Sequence, residues 1–269
     1  MSETCPRCRF PSTLTDIKQL FLEEGSDSSD EDGDQFSGLN TRTTTKINFV
    51  KIKNRWSKIV GICCSDKCTT NTNNLAGDCN EGYGFVNLIN DENIKYVEGY
   101  RGFGYDKYVR VYVENPFRKP QNCLNYSLYY FEVKSKIESF LYPNKKWIQI
   151  GLKNLITNKY IYYHPMNAGI RNEKYAYRLS TSFWNDNDIF GCGLVYPPAC
   201  KMNKEFPYIF FTQNGNQIGK CILLKENFDS YIPYVYLIDC SIEANFGNNL
   251  KSKIFIYDIS KHLIPDEFY

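Results

Sequence analysis

The residues best suited to chemistry in this sequence are cysteines near its beginning. Cys5 and Cys8 have the separation at which two thiolates reach one tetrahedral zinc ion, and Cys64 and Cys68 can supply a second pair. The long segment between the pairs costs little loop-closure entropy. A second possible zinc site uses Cys63 or Cys64 with Cys68 and Cys79, but this set lacks a good fourth ligand. The alternative is reduced thiols, and we expect no stoichiometric zinc and no other cofactor.

Groups for acid–base or nucleophilic catalysis are few. The chain has two histidines, His164 and His262, and neither lies near a serine or cysteine in a nucleophile motif. Asp188 and Glu243 fall at predicted strand ends, where a carboxylate usually accepts hydrogen bonds from turn amides. The sequence contains no phosphate-binding loop and no dinucleotide fingerprint. We therefore predict no catalytic residues and no enzymatic activity.

Tyrosine, arginine and lysine concentrate in segments predicted to be loops, chiefly 114–124, 139–146 and 154–178. Tyrosine and arginine dominate interface hot spots, because they combine a large contact area with polar tips. The sequence therefore predicts partner-binding loops that use Arg118, Lys119, Tyr142, Lys145, Tyr160, Tyr162, Tyr163, Arg171, Tyr175, Tyr177 and Arg178.

Charge is distributed unevenly along the chain. Residues 16–34 contain eight acids and one lysine, whereas residues 140–180 contain seven bases and one acid. Ser28 and Ser29 each precede an acid by three residues, which suits acidophilic kinases, and a phosphate would add further negative charge. The acidic segment is thus expected to compete with an acidic partner for the basic loops.

Composition and length limit the class of protein. The 269 residues can hold one large all-β domain, and 22 Tyr and 18 Phe against 3 Met favour pleated strands over helices. A net charge of +2 argues against a general nucleic-acid binder. No signal peptide or membrane-spanning run is evident, so we expect a cytoplasmic or nuclear protein that does not bind membranes, with thiols in place of disulfides.

Hydrophobic alternation and turn residues predict many short strands. The clearest signal is Asn214-Gly215 between two β-branched and aromatic runs, which predicts a hairpin with a type I′ turn. The predicted strands cover 46–53, 84–90, 94–97, 108–113, 128–133, 146–152, 189–196, 208–212, 217–224, 234–238, 241–246 and 254–258. Spacing of this kind is typical of a sandwich.

Five blocks of the chain, taken in order, resemble one family. They are 129–133 (YYFEV), 150–152 (IGL), 188–193 (DIFGCG), the hairpin 207–224 and 243–247 (EANFG). Together they resemble a SPRY domain, most closely those of the Ran-binding-protein (RanBPM-like) group. The resemblance implies a bent antiparallel β-sandwich of concanavalin-like SPRY fold, whose loops bind a protein or peptide without catalysis.

The resemblance, together with the composition and capping residues of the first 45 positions, sets the predicted domain boundaries. Residues 1–45 form a disordered acidic tail with a short helix at 13–24, and 46–81 form lead-in strands that pack on the sandwich. Residues 82–260 form the SPRY domain, and 261–269 a C-terminal tail. Two alternatives stay open: a substrate receptor of a ubiquitin ligase, which co-purification with a ligase core would reveal, and a lectin-like sandwich that binds carbohydrate, which a glycan array would reveal.

Overall fold

Strands make up nearly all of the regular structure. The computed structural model describes residues 46–61, 83–99, 106–138, 146–172, 174–179, 184–202, 204–226 and 229–269. Helical structure within these residues is limited to three short 3-10 turns, at Pro165–Asn167, Ala199–Lys201 and Ile259–Lys261. No helix in the described part of the chain is long and apolar enough to cross a membrane.

The strands form two sheets of eight. The first contains β1 (Ile47–Phe49), β3 (Phe85–Leu88), β4 (Asn93–Val97), β7 (Tyr126–Ile137), β12 (Ile189–Tyr196), β13 (Tyr208–Gln213), β14 (Asn216–Leu223) and β16 (Cys240–Asn245). The second contains β2 (Trp56–Val60), β5 (Val109–Val113), β6 (Phe117–Arg118), β8 (Trp147–Asn154), β9 (Tyr160–His164), β10 (Gly169–Arg171), β11 (Ala176–Arg178) and β15 (Ser230–Ile238).

Strand order identifies the edges of each sheet. The first runs β14-β13-β12-β7-β16-β4-β3, with β1 beside one half of β7, and the second runs β11-β10-β9-β8-β15-β5-β2, with β6 beside β15. Every pairing between these strands is antiparallel except that of β1 with β7. The predicted all-β antiparallel sandwich is confirmed, and residues 46–269 form one compact unit.

The main core lies between the two sheets. Alternate residues of β7, including Phe131 and Val133, meet alternate residues of β8, including Ile148 and Ile150, and all four are completely buried. This follows from the two-residue period of a strand, which sends every second side chain to the same face.

A second, smaller core covers the outer face of the first sheet. The other side chains of β7, including Leu128 and Tyr130, are buried beneath residues 246–269, which we call the C-terminal strap. The carboxylate of Glu132, in the same row, accepts hydrogen bonds from the backbone N–H groups of Ile256 and Tyr257 at 3.0 and 2.9 Å and from the Tyr130 hydroxyl at 3.0 Å. The first sheet is therefore buried on both faces.

The hairpin predicted at residues 214–215 is confirmed. Gln213 pairs with Asn216, and the two loop residues have φ angles of 50° and 79°. Asp188 accepts hydrogen bonds from the side chains of Gln213 and Asn214 and from a nearby backbone N–H. Its carboxylate thus holds the hairpin against the start of β12, as expected for a structural acid.

Two sequence predictions on the strands are wrong. Residues 254–258 are not a strand, because they run in irregular conformation across the first sheet as part of the strap. Strand β2 lies in the region 46–81, for which lead-in strands were predicted without separate bounds for this strand, and the segment 154–178, predicted as a loop, contains β9, β10 and β11. The predicted helix at 13–24 and the tail 1–45 lie outside the described residues.

Candidate functional site

The outward side chains of the second sheet form a surface that we call the tyrosine–arginine face. Because Ile148, Ile150 and Leu152 of β8 point into the core, the alternate residues of this strand and their cross-strand neighbours point outward. The cations of the face are Lys58, Arg110, Arg118, Lys153, Arg171 and Arg178. Its aromatic residues are Tyr108, Tyr112, Trp147, Tyr160, Tyr162, Tyr234 and Tyr236.

Arg110 lies at the centre of this face between two tyrosine rings. Its guanidinium carbon is 4.5 Å from the ring centroid of Tyr160 and 4.6 Å from that of Tyr236. Lys153 Nζ is 5.8 Å from the ring centroids of Tyr160 and Tyr112, whose hydroxyls share a 2.7 Å hydrogen bond. Contacts of this kind hold the cations in fixed positions over aromatic rings.

One corner of the face contains His164 beside Trp147. Their ring centroids are 3.8 Å apart, and His164 Nδ1 accepts a hydrogen bond from the Asn167 N–H at 3.1 Å. Burial, helped by the nearby positive charge of Arg171, lowers the pKa of His164 to about 4. The imidazole is therefore neutral at pH 7 and adds no charge to the face.

The face adjoins a cleft between the edges of the two sheets, which we call the edge cleft. It has a volume of about 300 Å³ and lies between β9–β11 on one side and β14 on the other. Its polar lining consists of Asn154, Thr157, Lys159, Asn172, Lys174, Lys225 and Glu226, and its aromatic lining of Tyr175, Tyr177, Tyr231 and Tyr269. Three lysines against one carboxylate give the cleft a positive balance.

Tyr269 forms one wall of the edge cleft. Its ring stacks on that of Tyr177, with centroids 4.1 Å apart and an interplanar angle of 12°, and its N–H donates to the Cys221 carbonyl at 2.9 Å. Gly219 leaves room for this ring, since a Cβ there would lie 2.6 Å from the Tyr269 hydroxyl. Tyr175 is 60% exposed at the rim, in a turn held by the Asn172 side chain.

The predicted partner-binding residues divide between these two neighbouring surfaces. Arg118, Tyr160, Tyr162, Arg171 and Arg178 lie on the tyrosine–arginine face. Tyr175 and Tyr177 lie in the edge cleft. Lys119 follows β6, where its N–H donates to the Asp229 carbonyl and its ammonium is 3.9 Å from the Asp229 carboxylate.

Tyr163 does not fit the predicted surface role. It is completely buried in the main core, where its ring packs against Phe190 and Phe211 and its hydroxyl donates to Gln213. The cause is the period of β9, which turns Tyr160 and Tyr162 outward and Tyr163 inward. Sequence reasoning treated these residues as one loop cluster and therefore included all of them.

Several predicted residues lie outside the described part of the chain. These are the loop residues Tyr142 and Lys145, the cysteines Cys5, Cys8, Cys64 and Cys68, and the phosphorylation candidates Ser28 and Ser29. They stay predictions. Among the residues that are described, no group of three or more His, Cys, Asp or Glu side chains could hold a metal ion.

Sequence reasoning missed Arg110, Lys58 and Tyr269. Arg110 and Lys58 come from strands remote in sequence from β9, and only the strand order places them on the same surface. A signal for Arg110 did exist, because Tyr108, Arg110 and Tyr112 alternate with valines in a predicted strand and must share one face. No local pattern indicated that Tyr269 would stack on Tyr177.

The buried thiols and the second histidine of the sandwich are neutral at pH 7. Burial raises the pKa of Cys221 to about 12 and raises that of Cys192 and Cys240 as well, so these thiols stay protonated. Burial lowers the pKa of His262 to about 4, and its two nitrogens bond to the hydroxyls of Tyr208 and Tyr257. What the site offers a ligand is aromatic area, hydrogen-bond donors and positive charge.

No protein-family model and no curated protein matches the chain. Solved structures similar to it include a human SPRY domain, with 19% identity, a TM-score of 0.43 and coverage of 61% of this chain and 97% of that one. The SPRY domain of human HERC1 has 10% identity, a TM-score of 0.41 and coverage of 59% and 91%. Peanut lectin with a 9-residue peptide has 9% identity, a TM-score of 0.32 and coverage of 62% and 93%. Values this low carry no binding property over to this chain.

Proposed function

We propose that this chain is a non-catalytic, SPRY-type interaction module that holds a peptide or protein epitope in the edge cleft. The observation that carries the proposal is the cleft itself, where Tyr175, Tyr177 and Tyr269 stand beside three lysines in a volume of about 300 Å³. The five sequence blocks support placing the module in the RanBPM-like group. We propose a cytoplasmic or nuclear location, with a protein as the partner.

The lining of the cleft suits a short extended peptide. Stacked tyrosines supply rigid apolar area at low entropic cost, and the hydroxyl and amide groups at the rim can pair with a peptide backbone. Lys159, Lys174 and Lys225 favour a peptide with a carboxylate. Loops and edges on a rigid sandwich are also where binding residues usually lie.

A peptide-display selection on the purified full-length chain tests the proposal. We expect selected peptides to bind at least about tenfold more weakly to Tyr175→Ala, because truncation of an exposed aromatic anchor removes hot-spot contact. Lys174→Glu should weaken any selected peptide that contains an acid. The matched controls, Tyr83→Ala and Lys251→Glu, change the same residue types outside both the cleft and the tyrosine–arginine face, and should leave affinity within about twofold.

Two outcomes would overturn this function. One is that the selected peptides bind equally well to the wild type and to both cleft variants. The other is that a glycan array yields a saccharide whose binding requires Tyr175 while the peptide selection yields no binder.

A further inference from the structure

The strands that form the tyrosine–arginine face carry charge of one sign only. The eight described strands of the second sheet contain six cations and no Asp or Glu, and the strand registers place all six cations outward. Strands of the first sheet, in contrast, include Glu132 and Glu243. The seven strands from β11 to β2 span about 29 Å at roughly 4.8 Å per strand, which is the length of an extended segment of about eight or nine residues.

The two outer faces of the sandwich also differ in how they are covered. The C-terminal strap buries the outer face of the first sheet, but within the described residues no comparable segment covers the second. Tyr108 is 45% exposed, and the side chains of Arg171 and Arg178 are exposed as well. Among the described residues, the face is thus an uncovered surface of strong positive charge.

Arg110 is the best-positioned anchor on this surface. The rings of Tyr160 and Tyr236 fix its guanidinium plane, and its Nη1 donates to the Tyr160 hydroxyl at 3.3 Å. Its Nε is buried and has no hydrogen-bond partner among the described residues. Because Nε is enclosed, an anionic ligand would meet the partly exposed Arg110 side chain through its terminal nitrogens, with charge-assisted hydrogen bonds.

We propose that the tyrosine–arginine face binds an acidic protein segment, independently of the edge cleft. Charge complementarity requires an anionic ligand. The contacts of the tyrosine rings favour a protein segment over a nucleic acid. Nucleic-acid bases need free aromatic faces on which to stack. Here Arg110 and Lys153 already occupy ring faces of Tyr160, and Tyr108 stacks on Tyr236 with centroids 5.3 Å apart. The groups left to contact a ligand are the charged ends of the arginine and lysine side chains and the tyrosine hydroxyls. Both kinds of group suit glutamate and aspartate side chains.

Fluorescence anisotropy with three labelled probes and the full-length chain tests this proposal. The probes are a 12-residue Glu-Ser peptide, the same peptide with Gln in place of Glu, and an oligothymidylate with the same number of charges as the first. We expect the Glu peptide to bind, the Gln peptide not to bind, and the oligothymidylate to bind more weakly. Raising salt from 0.05 to 0.5 M should weaken the Glu peptide at least about tenfold, since exposed charges are screened.

Charge-matched variants identify the surface. Arg110→Gln should weaken the Glu peptide at least about tenfold, whereas Lys251→Gln, which removes one exposed charge elsewhere, should change affinity less than about twofold. The double variant Arg171→Gln/Arg178→Gln changes only exposed side chains, and it should also weaken binding. It therefore tests the proposal even if Arg110→Gln impairs folding. Tyr175→Ala should have no effect, which separates this surface from the cleft.

Any of three results would overturn the proposal. These are equal affinity for the Glu and Gln peptides, tighter binding of the oligothymidylate than of the Glu peptide, and a loss for Lys251→Gln as large as that for the face variants.

Discussion

His262 illustrates how single buried residues stabilise this fold. It is 4% exposed beneath the C-terminal strap, and its two ring nitrogens bond to the hydroxyls of Tyr208 and Tyr257 at 3.0 and 2.6 Å. Burial lowers its pKa from 6.5 to about 4, as it also does for His164. Both imidazoles are neutral in the folded chain at pH 7.

The two histidines predict a fall in stability with acid. Between pH 6.5 and 4 these histidines bind protons in the unfolded chain but not in the folded chain. Their contribution to the free energy of unfolding is therefore complete above pH 6.5 and decreases as pH falls below it. At pH 5.0 each histidine should remove about 2 kcal/mol, at about 1.4 kcal/mol per pKa unit. Urea unfolding at pH 7.5 and 5.0 measures the difference.

His262→Gln provides the comparison for this prediction. The variant retains groups that can bond to the two tyrosine hydroxyls but has no imidazole to titrate. The decrease in stability between pH 7.5 and 5.0 should therefore be smaller than in the wild type by about 2 kcal/mol. An unchanged decrease would show that His262 does not contribute to the acid sensitivity.

Gly215 carries a second residue-scale prediction. Its φ of 79° is unfavourable for a β-branched residue, so Gly215→Val should lower the free energy of unfolding by about 1–2 kcal/mol. Gly215→Asn is the matched control, because it adds a Cβ at the same distance of 3.0 Å from Ile256 but tolerates positive φ. Thermal unfolding of the two variants decides the matter, and equal melting temperatures would contradict the argument from strain.

Among the elements, the C-terminal strap depends most on one side chain. Glu132 supplies the carboxylate that accepts the N–H groups of Ile256 and Tyr257, and it is only 3% exposed. The desolvation that this entails raises the pKa of Glu132, against the effect of its hydrogen bonds. The strap is thus attached through a buried acid as well as through apolar packing.

Glu132→Ala should weaken the strap. It removes the charged acceptor of two partly buried N–H groups. A hydrogen bond to a charged group contributes about 1.5–3 kcal/mol and partial exposure lowers this value, so we expect a loss of roughly 2–4 kcal/mol in chemical denaturation. Glu243→Ala is the control, since this exposed acid of β16 pairs only with Lys253 at the surface and should cost less than about 1 kcal/mol. Equal losses for the two variants would rule out the anchoring role.

The hairpin and the segment 154–178 mark what sequence could and could not predict about the elements. The Asn-Gly turn was predictable because its chemistry is local. Strands β10 and β11 have three residues each, too few for alternation to register, and they form because β9 offers an edge for pairing. The strap segment 254–258 resembles a strand in composition, but its backbone groups bond to side chains in place of a neighbouring strand. The N–H groups of Ile256 and Tyr257 donate to Glu132, and the Ile254 carbonyl accepts from the side-chain amide of Asn245.

At the scale of the molecule, the sequence predicted the all-β class but not which residues share a surface. Tyrosine and arginine were correctly seen to concentrate near residues 160–178. Which of them share a surface depends on strand order, which brings Arg110 of β5 against Tyr160 of β9 across β15 and β8. Contacts between strands so remote in sequence leave no local periodic signal.

The main core, which both sheets share, predicts that the two sheets unfold cooperatively. Side chains of both sheets, such as Phe131 and Ile150, belong to the same buried cluster. Neither sheet can keep its core without the other, so tryptophan fluorescence and far-ultraviolet circular dichroism should give one coincident urea transition. Phe131→Leu should shift both curves together, and separate midpoints in either protein would mean that the sheets unfold independently.

The positive charge on the outer face of the second sheet also affects the solubility of the protein. Flat, tyrosine-rich sheet surfaces tend to stick to copies of themselves, but here any face-to-face approach of two molecules brings six cations against six cations. This repulsion should disfavour self-association through that face. Multivalent anions that neutralise this repulsion would make the same surface adhesive, so polyanionic buffers should precipitate this protein where simple salts keep it dispersed.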